Sequence, residues 1–162
     1  MGYQVVANGS ERFLFDRSTS TEGSARVWTV LGGASAPASS RDFVYDAGYR
    51  PVAYQEAADG SSSILWFHSG RLAVIEYYDA AGRPTAYSDQ RGWLNGSVAS
   101  SYKRLEDGTS RILWDHPDVV YVEVLDSRDR VIERHEYSKF YYPGYFPEDY
   151  GMRTIPDNVA TW

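Results

Sequence analysis

Hydrophobic and polar positions alternate along most of this chain in runs of five to eight residues, the two-residue period of a half-buried strand. The run LAVIEYYD is the clearest. It puts Leu72, Val74, Glu76 and Tyr78 on one face and Ala73, Ile75 and Tyr77 on the other. Large apolar groups on both faces mark a strand covered from both sides. The same reading predicts strands at Tyr3–Ala7, Glu11–Phe15, Ala25–Leu31, Asp42–Tyr45, Arg50–Glu56, Ser62–Phe67 and Arg71–Tyr78, then Arg83–Ser88, Val98–Arg104, Arg111–Trp114, Val119–Leu125 and Arg130–Tyr137. Turn signals rich in Gly, Asp and Asn separate them, and no helical stripe of convincing length interrupts them before the tail. This is the text of an all-β fold. Gly32–Ser40 (GGASAPASS) reads as an extended surface loop, and Arg17–Ser24 as a shorter one.

The strands are grouped by an internal repeat with a period of about fifty residues. Tyr54–His68 (YQEAADGSSSILWFH) returns as Tyr102–His116 (YKRLEDGTSRILWDH), and a fainter copy, YQVVANGSERFLFD, covers Tyr3–Asp16. Each copy carries a tyrosine six residues before a glycine (Gly9, Gly60, Gly108), then a leucine followed by a large aromatic: Leu14-Phe15, Leu65-Trp66 and Leu113-Trp114. Asn8-Gly9, Asp59-Gly60 and Asp107-Gly108 are expected hairpin tips of the type I′ class, in which both central residues take positive φ. The expected architecture is one all-β domain over residues 1–162. It contains three pseudo-repeats, 3–53, 54–101 and 102–138, curled as a meander or closed as a barrel, with a tail from 139 to 162. Three units of about four strands also suit a β-trefoil, although the Gln-x-Trp text common in lectin-type trefoils is absent.

Composition narrows the function. A net charge of −6 and a pI near 5.0 argue against phosphate-driven nucleic-acid binding. The chain has no Cys, which removes disulfides and thiolate chemistry. No apolar run reaches the length of a membrane span and MGYQVVANGSERF lacks the features of a signal peptide, so a soluble cytoplasmic setting without membrane partners is expected. The sequence offers no phosphate loop, dinucleotide fingerprint, nucleophile elbow or metal-ligand spacing, so neither a cofactor nor a metal is expected.

Three short texts are similar to known repeats of two kinds. Tyr77-Tyr78-Asp79-Ala80-Ala81-Gly82-Arg83-Pro84 resembles the YD repeat of Rhs-type bacterial proteins, and Tyr45-Asp46-Ala47-Gly48-Tyr49-Arg50 resembles it with one residue fewer. Trp66-Phe67-His68-Ser69-Gly70-Arg71-Leu72 resembles MORN-like hairpin repeats. These resemblances touch about a third of the chain by that repeat reading. They imply antiparallel hairpins, in a chain too short to build the toxin-enclosing shell of Rhs proteins.

Candidate chemistry is sparse. His68 and His116 fall at equivalent places, two residues after Trp66 and Trp114, where a ring at a strand end can bond a turn or titrate near neutral pH. If the chain is an enzyme, the expected groups are Glu76, Glu123 and His135, with His135 meeting one of the glutamates across strands. As a binding surface, the candidates are Trp66, His68, Trp114, His116 and the tail aromatics Phe140, Tyr141, Tyr142, Tyr145 and Phe146. The leading expectation is a non-enzymatic protein-binding module of immunity or inhibitor type, with a basic partner. The alternatives are a small β-barrel enzyme or binder for a hydrophobic small molecule, of cyclase or isomerase type, and a sugar-binding trefoil.

Overall fold

The computed structural model describes residues 2–5, 9–32 and 34–138. All regular structure there is antiparallel β, in three four-stranded meanders. The first sheet runs β1 (Gly2–Val5), β2 (Glu11–Asp16), β3 (Gly23–Val30) and β4 (Ser39–Tyr45). The second runs β5 (Arg50–Glu56), β6 (Ser62–His68), β7 (Leu72–Tyr78) and β8 (Pro84–Arg91). The third runs β9 (Val98–Arg104), β10 (Ser110–Asp115), β11 (Val119–Leu125) and β12 (Val131–Ser138).

Among the described residues no sheet closes on itself. The closed barrel and the trefoil barrel are therefore overturned, and the curled meander stands. The physical reason is that the hydrophobic faces are buried by stacking instead of closure. One core cluster joins Leu14, Ala25, Val27 and Phe43 of the first sheet to Tyr54, Ile64, Trp66 and Tyr78 of the second. The other joins Ala53, Leu65, Ala73 and Ile75 of the second sheet to Ala99, Tyr102, Ile112, Trp114, Tyr121 and Leu125 of the third. The second sheet is the middle layer, apolar on both faces, as the LAVIEYYD alternation predicts.

The sheets begin at Gly2, Arg50 and Val98, so the repeated tyrosines fall inside the opening strand of each sheet, and the second and third structural units start about four residues ahead of the sequence repeat. Asp46–Tyr49 is correspondingly not a hairpin turn but the bridge from the first sheet to the second.

The tips at Asp59-Gly60 and Asp107-Gly108 are not type I′, and Asn8 of the first expected tip lies outside the described residues. Among the described residues outside glycine, positive φ occurs only at Arg71 and Asp129, so Asp59 and Asp107 keep ordinary backbone angles. Gly60 N–H donates to Ala57 O and Ala57 N–H to Ser61 O, and Gly108 N–H donates to Leu105 O and Leu105 N–H to Thr109 O. This is a turn closed by a glycine at φ +82 or +83, the longer hairpin that ends in a left-handed bulge residue. The aspartate caps it from the side: Asp59 Oδ1 accepts from Ser61 N and Oγ, and Asp107 Oδ1 from Thr109 N and Oγ1. The turns at 79–83 and 126–130 repeat the backbone bonds and add a fork, with Arg83 donating to Asp79 and Arg130 to Asp126. The second places Asp129, at φ 60, where the first has Gly82.

A methyl group at Gly108 would meet only Ser127 Cβ at 3.6 Å, an ordinary contact, so Gly108→Ala isolates the backbone strain. A loss of about 1–2 kcal/mol is expected in urea unfolding. Leu65→Ala removes a side chain with 0% exposure from the heart of the middle sheet and is expected to lose about 2–5 kcal/mol by the same measurement.

Candidate interaction surface

Register fixes which way each repeated residue points. Leu14 pairs with Val27, Leu65 with Ile75 and Leu113 with Val122. These pairs occupy one face of each sheet, the face that in the first two sheets meets the following sheet. The neighbouring aromatics alternate to the opposite face. Phe15 pairs with Arg26, Trp66 with Val74 and Trp114 with Tyr121. Trp66 and Trp114 thereby bury completely against the preceding sheet. Phe15 sits at the same position with no sheet before it among the described residues.

The outer face of the first sheet is consequently an aromatic surface. Phe13, Phe15, Trp28 and Val30 are half-buried on it, Val44 is 57% exposed, and the rings of Phe15 and Trp28 lie 4.6 Å apart. Its charge is neutralised locally, since Arg26 forks onto Asp42 at 2.6 and 2.7 Å. The signal for this face is present in the first copy of the repeat. Sequence reasoning passed over Phe13, Phe15 and Trp28 because strand text does not say which sheet lies at the end of a stack.

Trp66 and Trp114, read from sequence as binding residues, are instead fully buried core. Tyr45 stacks on Trp66 at 5.5 Å, and Tyr121 lies parallel to Trp114 at 6.3 Å. His68 packs its ring 4.9 Å from Tyr49 and touches Ser69, and His116 Nδ1 accepts from Asp118 N at 3.2 Å, so each ring closes a turn at a strand end. Phe140, Tyr141, Tyr142, Tyr145 and Phe146 lie outside the described residues.

The three candidate catalytic groups are not brought together. Glu76 faces the first sheet and Glu123 the second, so a whole layer separates their interfaces. His135 pairs with Val122, on the face opposite Glu123, and its Nε2 lies 3.1 Å from Glu133. The two glutamates hold equivalent register positions, opposite Ile64 and Ile112, yet have different surroundings. Glu76, 9% exposed, accepts from Trp66 Nε1 at 3.1 Å and from the Tyr78 hydroxyl. Its cross-strand neighbour is Tyr87, and burial without a cation raises its carboxyl above the ordinary range against those two hydrogen bonds. Leu125 takes the place of Tyr78 in the third sheet, and Arg134 takes that of Tyr87. Arg134 donates from Nη2 and Nε to Glu123 Oε1 at 2.7 and 3.2 Å, while its guanidinium lies 4.7 Å over the Trp93 ring. The cleft above Glu76, about 410 Å³, is walled by Pro84, Thr85, Ala86 and Tyr87 and is broadly open to solvent. Among the described residues no cluster of His, Asp and Glu could hold a metal ion.

No protein-family model matches this chain, and no curated protein matches it.

A carboxyl whose pKa is higher folded than unfolded favours the folded state only while it is protonated. Glu76 should therefore cost stability as pH rises from the unfolded carboxylate range through its own raised value. In urea unfolding between pH 4 and 8, about the window set by an ordinary glutamate, wild type should lose more stability with rising pH than Glu76→Gln. Parallel profiles for the two proteins would count against the buried, uncompensated carboxylate.

Proposed function

We propose that this chain is a non-enzymatic protein-binding module of the cytoplasm and that the outer face of its first sheet is the binding face. One observation carries the reading: Phe13, Phe15, Trp28 and Val30 lie half-buried on one face of the first sheet, at the position where the other two sheets bury their aromatic residues, with exposed Val44 beyond the Arg26–Asp42 pair. Contiguous exposed aromatic surface is the mark of an interaction site, and aromatic rings are favoured anchors. The separation of Glu76, Glu123 and His135 and the open cleft above Glu76 support binding over catalysis, because an acid–base site needs its groups within hydrogen-bond reach. Among the described residues no helix is long and apolar enough to cross a membrane. The net charge of −6 suits a basic partner, and an immunity or inhibitor role is the form of this reading in which that partner is an enzyme.

The test is capture of partners from the source cells with the tagged chain, followed by native mass spectrometry. The expected result is a stoichiometric protein partner that is lost with Phe15→Lys and kept with Tyr87→Lys, whose site on β8 is remote from that face. A bound small molecule with no protein partner would send the function to the cleft above Glu76 instead.

A further inference from the structure

The second and third sheets follow one plan down to single register positions. Their last two strands share a register shift, after Tyr77 and after Val124, so Tyr87 across from Glu76 corresponds to Arg134 across from Glu123. The turns between those strands carry the same Asp–Arg fork. The links that enter the two sheets match as well. Tyr49 N–H donates to Asp46 O around Gly48 at φ +86, and Ser97 N–H donates to Leu94 O around Gly96 at φ +87. Tyr45 directly precedes Asp46 and Trp93 directly precedes Leu94, so Tyr45 holds the place of Trp93.

The same positions thus build one site twice, from a buried glutamate, an aromatic ring ahead of the link, and a residue on the edge strand. In the third sheet the edge residue is a cation. Arg134 Nη2 donates to Glu123 Oε1 at 2.7 Å, and its guanidinium lies 4.7 Å over the Trp93 ring. In the second sheet the carboxylate and the ring remain, but the edge residue is Tyr87, 71% exposed. Among the described residues Glu76 accepts from Trp66 and Tyr78 and pairs with no Lys or Arg. Asp46, in the place of Leu94, adds a second negative charge that acts on it. Tyr45 feels the carboxylate too: its phenol is pushed up to about 12, first by burial and next by the charge of Glu76. The cleft of about 410 Å³ lies at this point, lined by Glu76 and the β8 residues Pro84, Thr85, Ala86 and Tyr87.

We infer that the cleft over Glu76 binds a guanidinium group carried by a ligand, which supplies to Glu76 the cation that Arg134 supplies to Glu123. A guanidinium suits this site better than an ammonium does. It is planar, forks onto a carboxylate, and is weakly enough hydrated to lie on an aromatic ring. The exposed Tyr87 ring offers such a face at the rim of the cleft. The site belongs to the second sheet and stands independently of the first-sheet binding face.

The experiment titrates ethylguanidinium chloride into the isotope-labelled chain near neutral pH at constant ionic strength, read on the tryptophan indole N–H signals. The Trp66 indole donates to Glu76, so its signal should shift and saturate while that of Trp114 stays in place. The tripeptide amide Gly-Arg-Gly is titrated in parallel. Tighter binding of the peptide assigns the guanidinium to a polypeptide, and tighter binding of ethylguanidinium assigns it to a small molecule. Glu76→Gln should weaken binding by about tenfold or more, the loss of one charged hydrogen-bond partner. Tyr87→Arg should lay its own guanidinium on Glu76, shift the Trp66 signal before any ligand is added, and abolish the titration. That change is at an exposed position, so it carries the test if Glu76→Gln does not fold. A Trp66 signal that ethylguanidinium moves no further than sodium chloride does overturns the inference. Equal affinity in wild type and Glu76→Gln overturns it too, as does full binding by Tyr87→Arg.

Discussion

Everything in this molecule depends on the two-residue period of the second strand in each sheet, which sends leucine to one side and an aromatic ring to the other. Since Leu65 and Trp66 are adjacent, β6 must be covered on both faces, and one layer cannot do it. Two flanking sheets supply the cover, and Ile64, Leu65, Trp66 and Ile75 all reach 0% exposure. Among the described residues the outer sheets have only one such neighbour each. On its second face the first sheet keeps Phe13, Phe15 and Trp28 only half-buried, and the aromatic surface there follows from that.

The stacked faces accept charge only where it is answered. Arg12 enters the first interface at 8% exposure because Glu56 meets it with both oxygens, and the Tyr54 hydroxyl donates to Glu56 Oε2 at 2.8 Å. That neighbourhood holds the Glu56 carboxyl below its usual range, chiefly through the Arg12 bonds, and burial pushes Tyr54 up to about 12. Glu76 is answered by neutral donors alone, which bond a carboxylate but do not balance its charge. Glu123 is answered by Arg134 from the edge strand. One register position thus carries a raised acid in one sheet and an ion pair in the next, decided by whether Tyr87 or Arg134 stands across the ladder.

Strand content was legible in the text, as were Arg50–Glu56, Val98–Arg104 and Val119–Leu125 to the residue. Alternation is a local property, and turn residues mark its ends. The turn class was not legible, because Asp-Gly serves both a two-residue hairpin and a longer one in which only the glycine takes positive φ. Nor was stacking: the choice between closing a sheet and covering it with another is made by residues about fifty apart, across the repeat period. Trp66 and Trp114 read as surface anchors because aromatic residues favour both cores and interfaces, and the sequence does not say which layer is internal. The surface at Phe13, Phe15 and Trp28 was missed for the same reason.

The turns at 79–83 and 126–130 also bear on how the chain finds this arrangement. Asp79 is held by Arg83, and Asp126 by Arg130, through contacts four residues apart, and every sheet joins strands in chain order. Most pairing is therefore local in sequence, and chains of that kind search little before their hairpins form. The interfaces between sheets join elements that are already adjacent meanders. Assembly can proceed by collapse of preformed layers, with the middle one acting as the template on which the other two settle.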